Sequence, residues 1–437
     1  MSALQRMLEE FASLGAGVGA ARQAAARSLQ NRGLPGRAEE NWRHANLRAL
    51  DRIQSFLPPV ASATAASGSA AAGGALTEPD LPPPLPGFLR LVLVDGQVRS
   101  DLGSAPGTLP GLAVGSAERR PTAVTETAVA ETTALAAPSD ERLGLIATLF
   151  APAALTLRVS KPLSLEIISL TSPGTGASYL DLALSVDAGV GCHLVERHLG
   201  GGAAGSFACV RLDLVLATSA TLVHQRLLAV DQQMVLLDNL HARVQERASY
   251  RLQQIAVGGG TARSTAEVQL QGRDAALDWQ ALAAGSGRQV NDTMLTVLHQ
   301  AAGTRSEQLF RAIASEQAHI ACNADTRVSA QARGAKVAQS LRGLVDGVGA
   351  ELDLRPQLTI NTDDIQARHG ATTGRLDDDL LFYLLSRGLG PDEARALLHW
   401  AFLGEVLKSI EPVALRRDAQ RLAAARLSAA PAPELLQ

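Results

Sequence analysis

The sequence predicts a mainly β fold: a solenoid of stacked coils with helical regions at both ends. Three observations carry that prediction. First, the hydrophobic period beyond residue 87 falls close to two. Leu155, Leu157, Val159, Leu163, Leu165 and Ile167 form one such set, and Leu180, Leu182, Leu184 and Val186 alternate with Asp181, Ala183, Ser185 and Asp187, as half-buried strands do. Second, Gly-rich or polar breaks at 189–191, 200–202, 258–260 and 285–287 separate the runs, with no helical period between them. Third, 46% of the residues are hydrophobic but only 3% aromatic, so Leu, Val and Ala must build the interior. Small aliphatics suit coils that bury one another better than one very large sandwich, although no strict sequence repeat marks the coils.

Taken in order, residues 1–57 read as an N-terminal helical region. Met7, Phe11, Leu14 and Val18 recur at three- and four-residue spacing, and a second amphipathic piece after Pro35 places Trp42, Leu47 and Leu50 near one helix face. Residues 58–86 are Ala/Ser/Gly-rich and then Pro-rich, too poor in large side chains to offset their ordering entropy; they read as a flexible linker with a stiffer end. The β core then spans 87–360, opening with Leu89, Leu91 and Leu93 and continuing through runs at 210–216, 251–257 and 268–270. Residues 361–437 form a C-terminal helical domain that caps this body. Leu380, Leu381, Leu384 and Leu385 make one apolar face that ends at Gly388 and Gly390. Pro391 suits a first helical position, with Asp392 and Glu393 in the first turn. Ala394, Leu397, Leu398, Ala401 and Phe402 continue the stripe, and a third helix is expected over 412–429.

Composition excludes several functions. With 40 Lys+Arg against 43 Asp+Glu in 437 residues, the chain lacks the basic surplus of a nucleic-acid binder. Three scattered cysteines make no disulfide framework and fit a reducing compartment. Met1–Phe11 carries Glu9 and Glu10 and lacks a signal peptide's pattern. The apolar window Leu143–Leu157 is broken by Pro152 and is shorter than the ~20 residues a membrane span needs. A soluble cytoplasmic protein is expected, with no membrane partner.

The sequence also lacks enzyme signatures. No GxxxxGK[ST] occurs: Gly334-Ala335-Lys336 lacks the leading Gly and following Ser or Thr, and Gly189-Val190-Gly191 sits among strands rather than before a helix. No GxSxG appears, and no paired carboxylates stand out, so no catalytic residue is assigned. An extended chain points Cys192, Glu196 and His198 to one face, but with Cys192 and Glu196 ~13 Å apart they make a poor metal set; a buried Cys on a strand is the favoured reading. Cys209 reads as core, and Cys322 near His319 and Asp325 as a chance triplet. His299 reads as a hydrogen-bonded structural histidine, and Asp377–Asp379 as a helix cap.

The most specific segment is NTDDIQARHGATTGRLDDDLLFYLLSRGLGPDEARALLHWAF, residues 361–402. Through His369-Gly370-Ala371-Thr372, Gly374, Leu376-Asp377, Leu381-Phe382-Tyr383-Leu384, Ser386-Arg387-Gly388 and Glu393-Ala394-Arg395 it resembles the C-terminal signature of the SufB/SufD family of iron–sulfur cluster assembly proteins. Gly33-Leu34-Pro35 with Glu40-Asn41-Trp42-Arg43 and Asn46-Leu47 resembles the N-terminal helical element of the SufD-like branch, and Ala301 to Phe310, with Arg305-Ser306-Glu307 and the preceding His299, resembles the family's stretch before the last coils. The resemblance implies a right-handed parallel β-helix flanked by helices. It also implies a non-catalytic scaffold that pairs with a SufB-like subunit and docks a SufC-like ABC ATPase through its C-terminal helices. Phe382, Tyr383, Arg387, Glu393, Arg395, Trp400 and Phe402 are the implied partner-binding residues. The family's usual Cys stands here as Ala367, which offers no thiolate. His369 is then the one implied ligand for iron or an iron–sulfur cluster at a shared subunit interface, with structural hydrogen bonding beside a turn as its alternative role, and no cofactor is expected on this chain alone. A homodimeric β-helix adaptor without a metal role, and a standalone β-solenoid enzyme, remain as alternatives.

Overall fold

The period-two segments fold into two long parallel sheets lying face to face, and successive strands of the chain alternate between them. The computed structural model describes residues 2–15, 18–36, 38–45, 47–58, 81–104, 111–116, 140–173, 176–201 and 205–427. The first sheet contains β1 (Leu89–Val94), β2 (Gln97–Val98), β5 (Leu163–Thr171), β7 (Gly191–Gly200), β9 (Thr221–Leu228), β11 (Ser249–Ala256), β13 (Ala276–Gly285), β15 (Arg305–Ser315), β17 (Ala335–Asp346) and β19 (Ile365–Gly374). The second contains β3 (Leu112–Ser116), β4 (Ala154–Val159), β6 (Ala177–Val186), β8 (Phe207–Leu216), β10 (Val235–Val244), β12 (Thr261–Leu270), β14 (Val290–His299), β16 (His319–Val328) and β18 (Glu351–Ile360). Each coil gives one strand to each sheet, which is the solenoid the sequence predicts. At the N-terminal end, β2 runs antiparallel beside β1 and β3 antiparallel beside β4.

Between the sheets lies a lumen filled by aliphatic side chains in register. Leu182, Leu212, Leu240, Ala266, Leu295 and Ala324 hold the same place on successive strands of the second sheet and are all buried. Each large member contributes roughly 1.5–3 kcal/mol of burial energy. The coils turn at a corner where Gly189, Ser219, Arg247, Asp274, Gly303 and Gly334 all adopt positive φ. Each of these residues donates its N–H to a carbonyl in the corner of the next coil, as Ser219 does to Glu246 and Asp274 to Ala302. The steps are unequal: Arg247 to Asp274 is 27 residues, and Gly303 to Gly334 is 31. An irregular step hides the repeat from the sequence.

Helices cover the outer faces. On the second sheet, α1 (Ala3–Ser13), α2 (Ala20–Arg32), two 3-10 turns (Glu40–Trp42 and Leu47–Arg52) and α3 (Arg142–Phe150) bury Met7, Phe11, Leu29, Trp42, Leu50 and Phe150 against Tyr179, Phe207, Cys209 and Leu237. α1 starts with a capping box between Ser2 and Gln5. The expected helix through Trp42 and Leu50 is replaced by these turns. The core expected to be all-β also contains α3. That helix is short and buried nearly all round between α2 and the sheet, and in so short an apolar run periodicity does not separate helix from strand.

On the first sheet lie α5 (Pro391–Leu407) and α6 (Val413–Ala424), where Leu403, Val406, Leu407, Leu415 and Ala419 pack on Leu227, Ile255, Leu282 and Ile313. These helices lie along the flank of the solenoid rather than over its end, as a cap would. Charged pairs fix them there: Arg197 of β7 meets Asp418 at 2.6 Å, and Arg311 of β15 meets Glu405 at 2.7 Å. β19 lies beyond residue 360, where the sequence reading ends the β core. Of the expected linker, 59–80 lie outside the described residues, while Leu81 and Leu85 near its Pro-rich end are buried on the body.

Candidate functional site

The C-terminal end of the rod carries the residues singled out in the sequence. Among the described residues no strand continues past β18 or β19, and every residue of β19 after Ile365 is exposed. Ala367, His369, Ala371 and Thr373 pair with Val337, Gln339, Leu341 and Gly343. The first three of those β17 partners are buried, so His369 stands on the lumen-facing side of the last strand. Trp279, Gln308 and Gln339 hold the same register position in the three preceding strands. Gln339 donates to the Gln308 side-chain carbonyl at 3.0 Å, and Gln308 donates to the Thr326 hydroxyl at 2.8 Å. A file of polar side chains thus runs up the lumen and ends at an exposed imidazole. Ala367, on the same face, supplies only a methyl group.

Beside this end stands α4 (Asp378–Ser386), which has no buried residue. Asp377 caps it as expected, its carboxylate accepting from the N–H groups of Asp379 and Leu380 at 2.9 and 3.1 Å. Leu380, Phe382 and Tyr383 are 52%, 72% and 52% exposed, far more than large apolar side chains on a stable flank. The Arg387 guanidinium lies 5.1 Å from the Tyr383 ring centroid, an arrangement that stiffens the patch. On α5, Pro391 holds the first helical position as expected, and Glu393 and Arg395 face solvent. Trp400 and Phe402 differ: both are half-buried against the chain's own flank. The structure therefore divides the sequence-predicted docking residues into a solvent-facing set and a pair already engaged in packing.

The cysteines offer no reactive thiol. All three are free and buried, and burial pushes Cys192 up to about 12 and Cys322 well above its usual range. Cys322 points into the lumen, one residue out of phase with His319 and Asp325 on the outer face, so that triplet does not assemble. Cys192, Glu196 and His198 do share the lumen face, and Glu196 and His198 are hydrogen-bonded to each other.

Glu196 and His198 belong to a larger charged site that sequence reasoning missed. Arg226, fully buried, donates to Glu196 at 2.9 Å and to both oxygens of Asp238 at 2.7 and 2.8 Å. His224 meets the Glu196 carboxylate at 2.9 Å through Nε2 and the Tyr250 hydroxyl at 3.0 Å through Nδ1. Ser264 donates to Asp238 at 2.6 Å. Burial alone would raise the Glu196 carboxyl, but Arg226 and His198 hold it well below its usual range. Burial lowers His224. The available signal was a His and an Arg at lumen positions of β9 where alternation calls for aliphatics.

His299 is the structural histidine the sequence suggests. It is fully buried, and its two ring nitrogens meet Thr304 at 2.9 Å and Ser306 at 2.8 Å. Burial lowers its pKa to about 4, against an ordinary ~6.5. The unfolded chain then takes up this proton first, so His299 contributes full stability above about pH 6.5, lost progressively as pH falls towards 4. Urea unfolding at pH 7.5 and 5.0 is expected to show about 2 kcal/mol of loss from this group. His299→Gln should shrink the difference between the two pH values by that amount. An unchanged difference would show that His299 does not titrate this way.

The chain is similar to known proteins. The family model described as "SUF system FeS cluster assembly, SufBD core domain" matches residues 169–402. The Escherichia coli (strain K12) iron–sulfur cluster assembly protein SufD is 28% identical over 267 residues, covering 60% of this chain and 62% of that protein. A SufBD family protein of Synechocystis is 32% identical over 171 residues, 39% of this chain and 38% of its own length. One of Mycobacterium tuberculosis (strain H37Rv) is 30% identical over 267 residues, covering 59% and 66%. The chain thus spans less than two thirds of each of these relatives.

Proposed function

Because the chain belongs to the SufB/SufD family and is SufD-like, we propose that it is a non-catalytic scaffold subunit in iron–sulfur cluster assembly. It would offer the open coil β18–β19 to a SufB-like β-helix, and α4 with the exposed start of α5 to a SufC-like ABC ATPase. The observation that carries this reading is the bare end of the rod, with an exposed strand and an apolar helix face side by side. An unpaired strand edge invites another chain, and a large exposed apolar patch marks an interaction surface. Hydrolysis of ATP would belong to the partner, whose dimerisation would swing the attached solenoids against one another.

Iron or the growing cluster enters as cargo. His369 would donate an imidazole at the shared interface, with Gln339 beneath it. Among the described residues His369 joins no group of three metal-ligating side chains, so the other ligands would come from the partner. A second reading, self-pairing through the same coil, draws on the same bare strand.

Reconstitution with the SufB-like and SufC-like proteins of the same genome, followed by size exclusion with light scattering, tests the proposal. A stable three-component complex is expected. Phe382→Asp should weaken ATPase binding by about 100-fold, the range of an interface hot spot, while changing thermal stability little because the ring is mostly exposed. Co-elution of that variant at wild-type affinity would refute the docking assignment. His369→Ala should leave the complex intact and lower its iron content; unchanged iron and cluster transfer would end the ligand role. A dimeric mass for the chain alone, with no binding to either partner, would favour self-pairing.

A further inference from the structure

We propose that His44, His319 and Asp353 bind a divalent transition-metal ion of the zinc or ferrous class, and that this ion staples the N-terminal region to the late coils. Each residue presents one donor atom, and the three atoms lie within 4.8 Å of one another. Asp353 Oδ2 is 2.6 Å from His319 Nε2 and 3.1 Å from His44 Nδ1. The two rings meet edge to face, 5.9 Å between centroids at 83°. A metal held at ~2.0–2.2 Å from each donor separates tetrahedral ligands by roughly 3.3 Å, so small side-chain rotations convert the observed triangle into a coordination shell.

The donors come from elements that are already fixed. His319 and Asp353 lie on the outer face of adjacent parallel strands, β16 and β18, where His319 pairs with Glu351 and Asp353 lies two residues further along. His44 follows Trp42, which is buried under the Arg263 guanidinium at 4.4 Å from the ring centroid. Arg263 also donates to the Asn41 carbonyl at 3.0 Å, and Glu40 pairs with Arg355. The 40–45 segment is therefore pinned to the solenoid before any ion arrives, which lowers the ordering cost of binding. Two imidazoles and one carboxylate suit zinc or ferrous iron rather than calcium or magnesium, which favour all-oxygen shells. With side chains 34%, 25% and 42% exposed, one side of the site stays open to water, giving three protein ligands and an exchangeable fourth position.

The chelator-treated, untagged full chain, titrated with Zn²⁺ alone by calorimetry and with Co²⁺ by visible absorption, tests this site. One equivalent of Zn²⁺ should bind with micromolar or tighter affinity and raise the thermal midpoint as its concentration rises. His44→Ala, His319→Ala and Asp353→Asn should each weaken binding at least tenfold, while His369→Ala binds as wild type. His44→Ala leaves the coil stack untouched, and an apo circular dichroism spectrum matching wild type checks that it folds. Absence of saturable binding to the wild-type chain would overturn the proposal. So would wild-type affinity in His44→Ala, because the staple requires the N-terminal ligand.

Discussion

Replacing Arg226 by methionine is expected to cost about 3–5 kcal/mol of folding stability, the range for stripping one partner from a buried ion pair. The side chain lies in the lumen with no access to water and is the cation between Glu196 and Asp238. Methionine fills most of the volume but leaves two carboxylates facing each other in a dry interior. Arg226→Lys should fail too, because a single ammonium cannot reproduce a planar fork that engages both carboxylates at once. The triple variant Arg226→Met, Glu196→Gln, Asp238→Asn should recover most of the loss, since it removes the charges along with their counterion. Urea unfolding at pH 7.5 measures all three variants. A triple variant no better than the single one would mean that shape, and not charge, sets the cost.

Glu196 adds a pH signature. Its folded carboxyl titrates well below its ordinary value because of Arg226 and the neighbouring histidines, despite burial. Its contribution is therefore complete above about pH 4.5 and is lost as pH falls below that. It shares this sign with His299 but acts in a lower pH window.

Gly272→Ala is expected to be nearly as damaging, at about 3 kcal/mol or more. A Cβ at this position would lie 1.9 Å from the Glu246 nitrogen and 2.3 Å from its Cα. Both are backbone atoms of the preceding coil's corner and have no rotamer by which to move aside. Position 272 lies two residues before the positive-φ corner residue Asp274. Gly334→Ala makes the comparison: it has φ +70° but open space around it, so its cost is backbone strain alone, of order 1 kcal/mol. Equal melting points for the two variants would disprove the close-approach argument.

Much of the architecture was legible because a strand buried on one face writes period two into its sequence. Leu180 to Val186 folds as β6, and Pro391 with its acidic neighbours starts α5. Legibility failed where burial is two-sided. α3 lies between a helix and a sheet, so Leu143 to Phe150 carries no polar stripe to reveal its period. The coil repeat was hidden for another reason: it resides in backbone conformation. The corner accepts Ser219, Arg247 and Asp274 as well as glycines, leaving no residue pattern to find. At the site, His369 and Phe382 stood out within one contiguous segment. His224, Arg226 and Asp238 did not, because they meet across a lumen that exists only once both sheets are assembled.

The two ends of the rod differ, and that difference sets a counting rule. At the start, short antiparallel strands lie against the outer edge of each sheet; at the finish, no strand among the described residues covers the edges. A block with adhesive edges at both ends would polymerise without limit, as head-to-tail contacts do when they fail to close. A block with one adhesive end gains one neighbour, and if that neighbour is built the same way, no free edge remains. Under the proposed pairing, growth along the solenoid axis would stop at two. If the bare end pairs as proposed, the short antiparallel strands β2 and β3 would serve as blunted edges at the other end, as short edge strands do in guarding sheets against fibre growth.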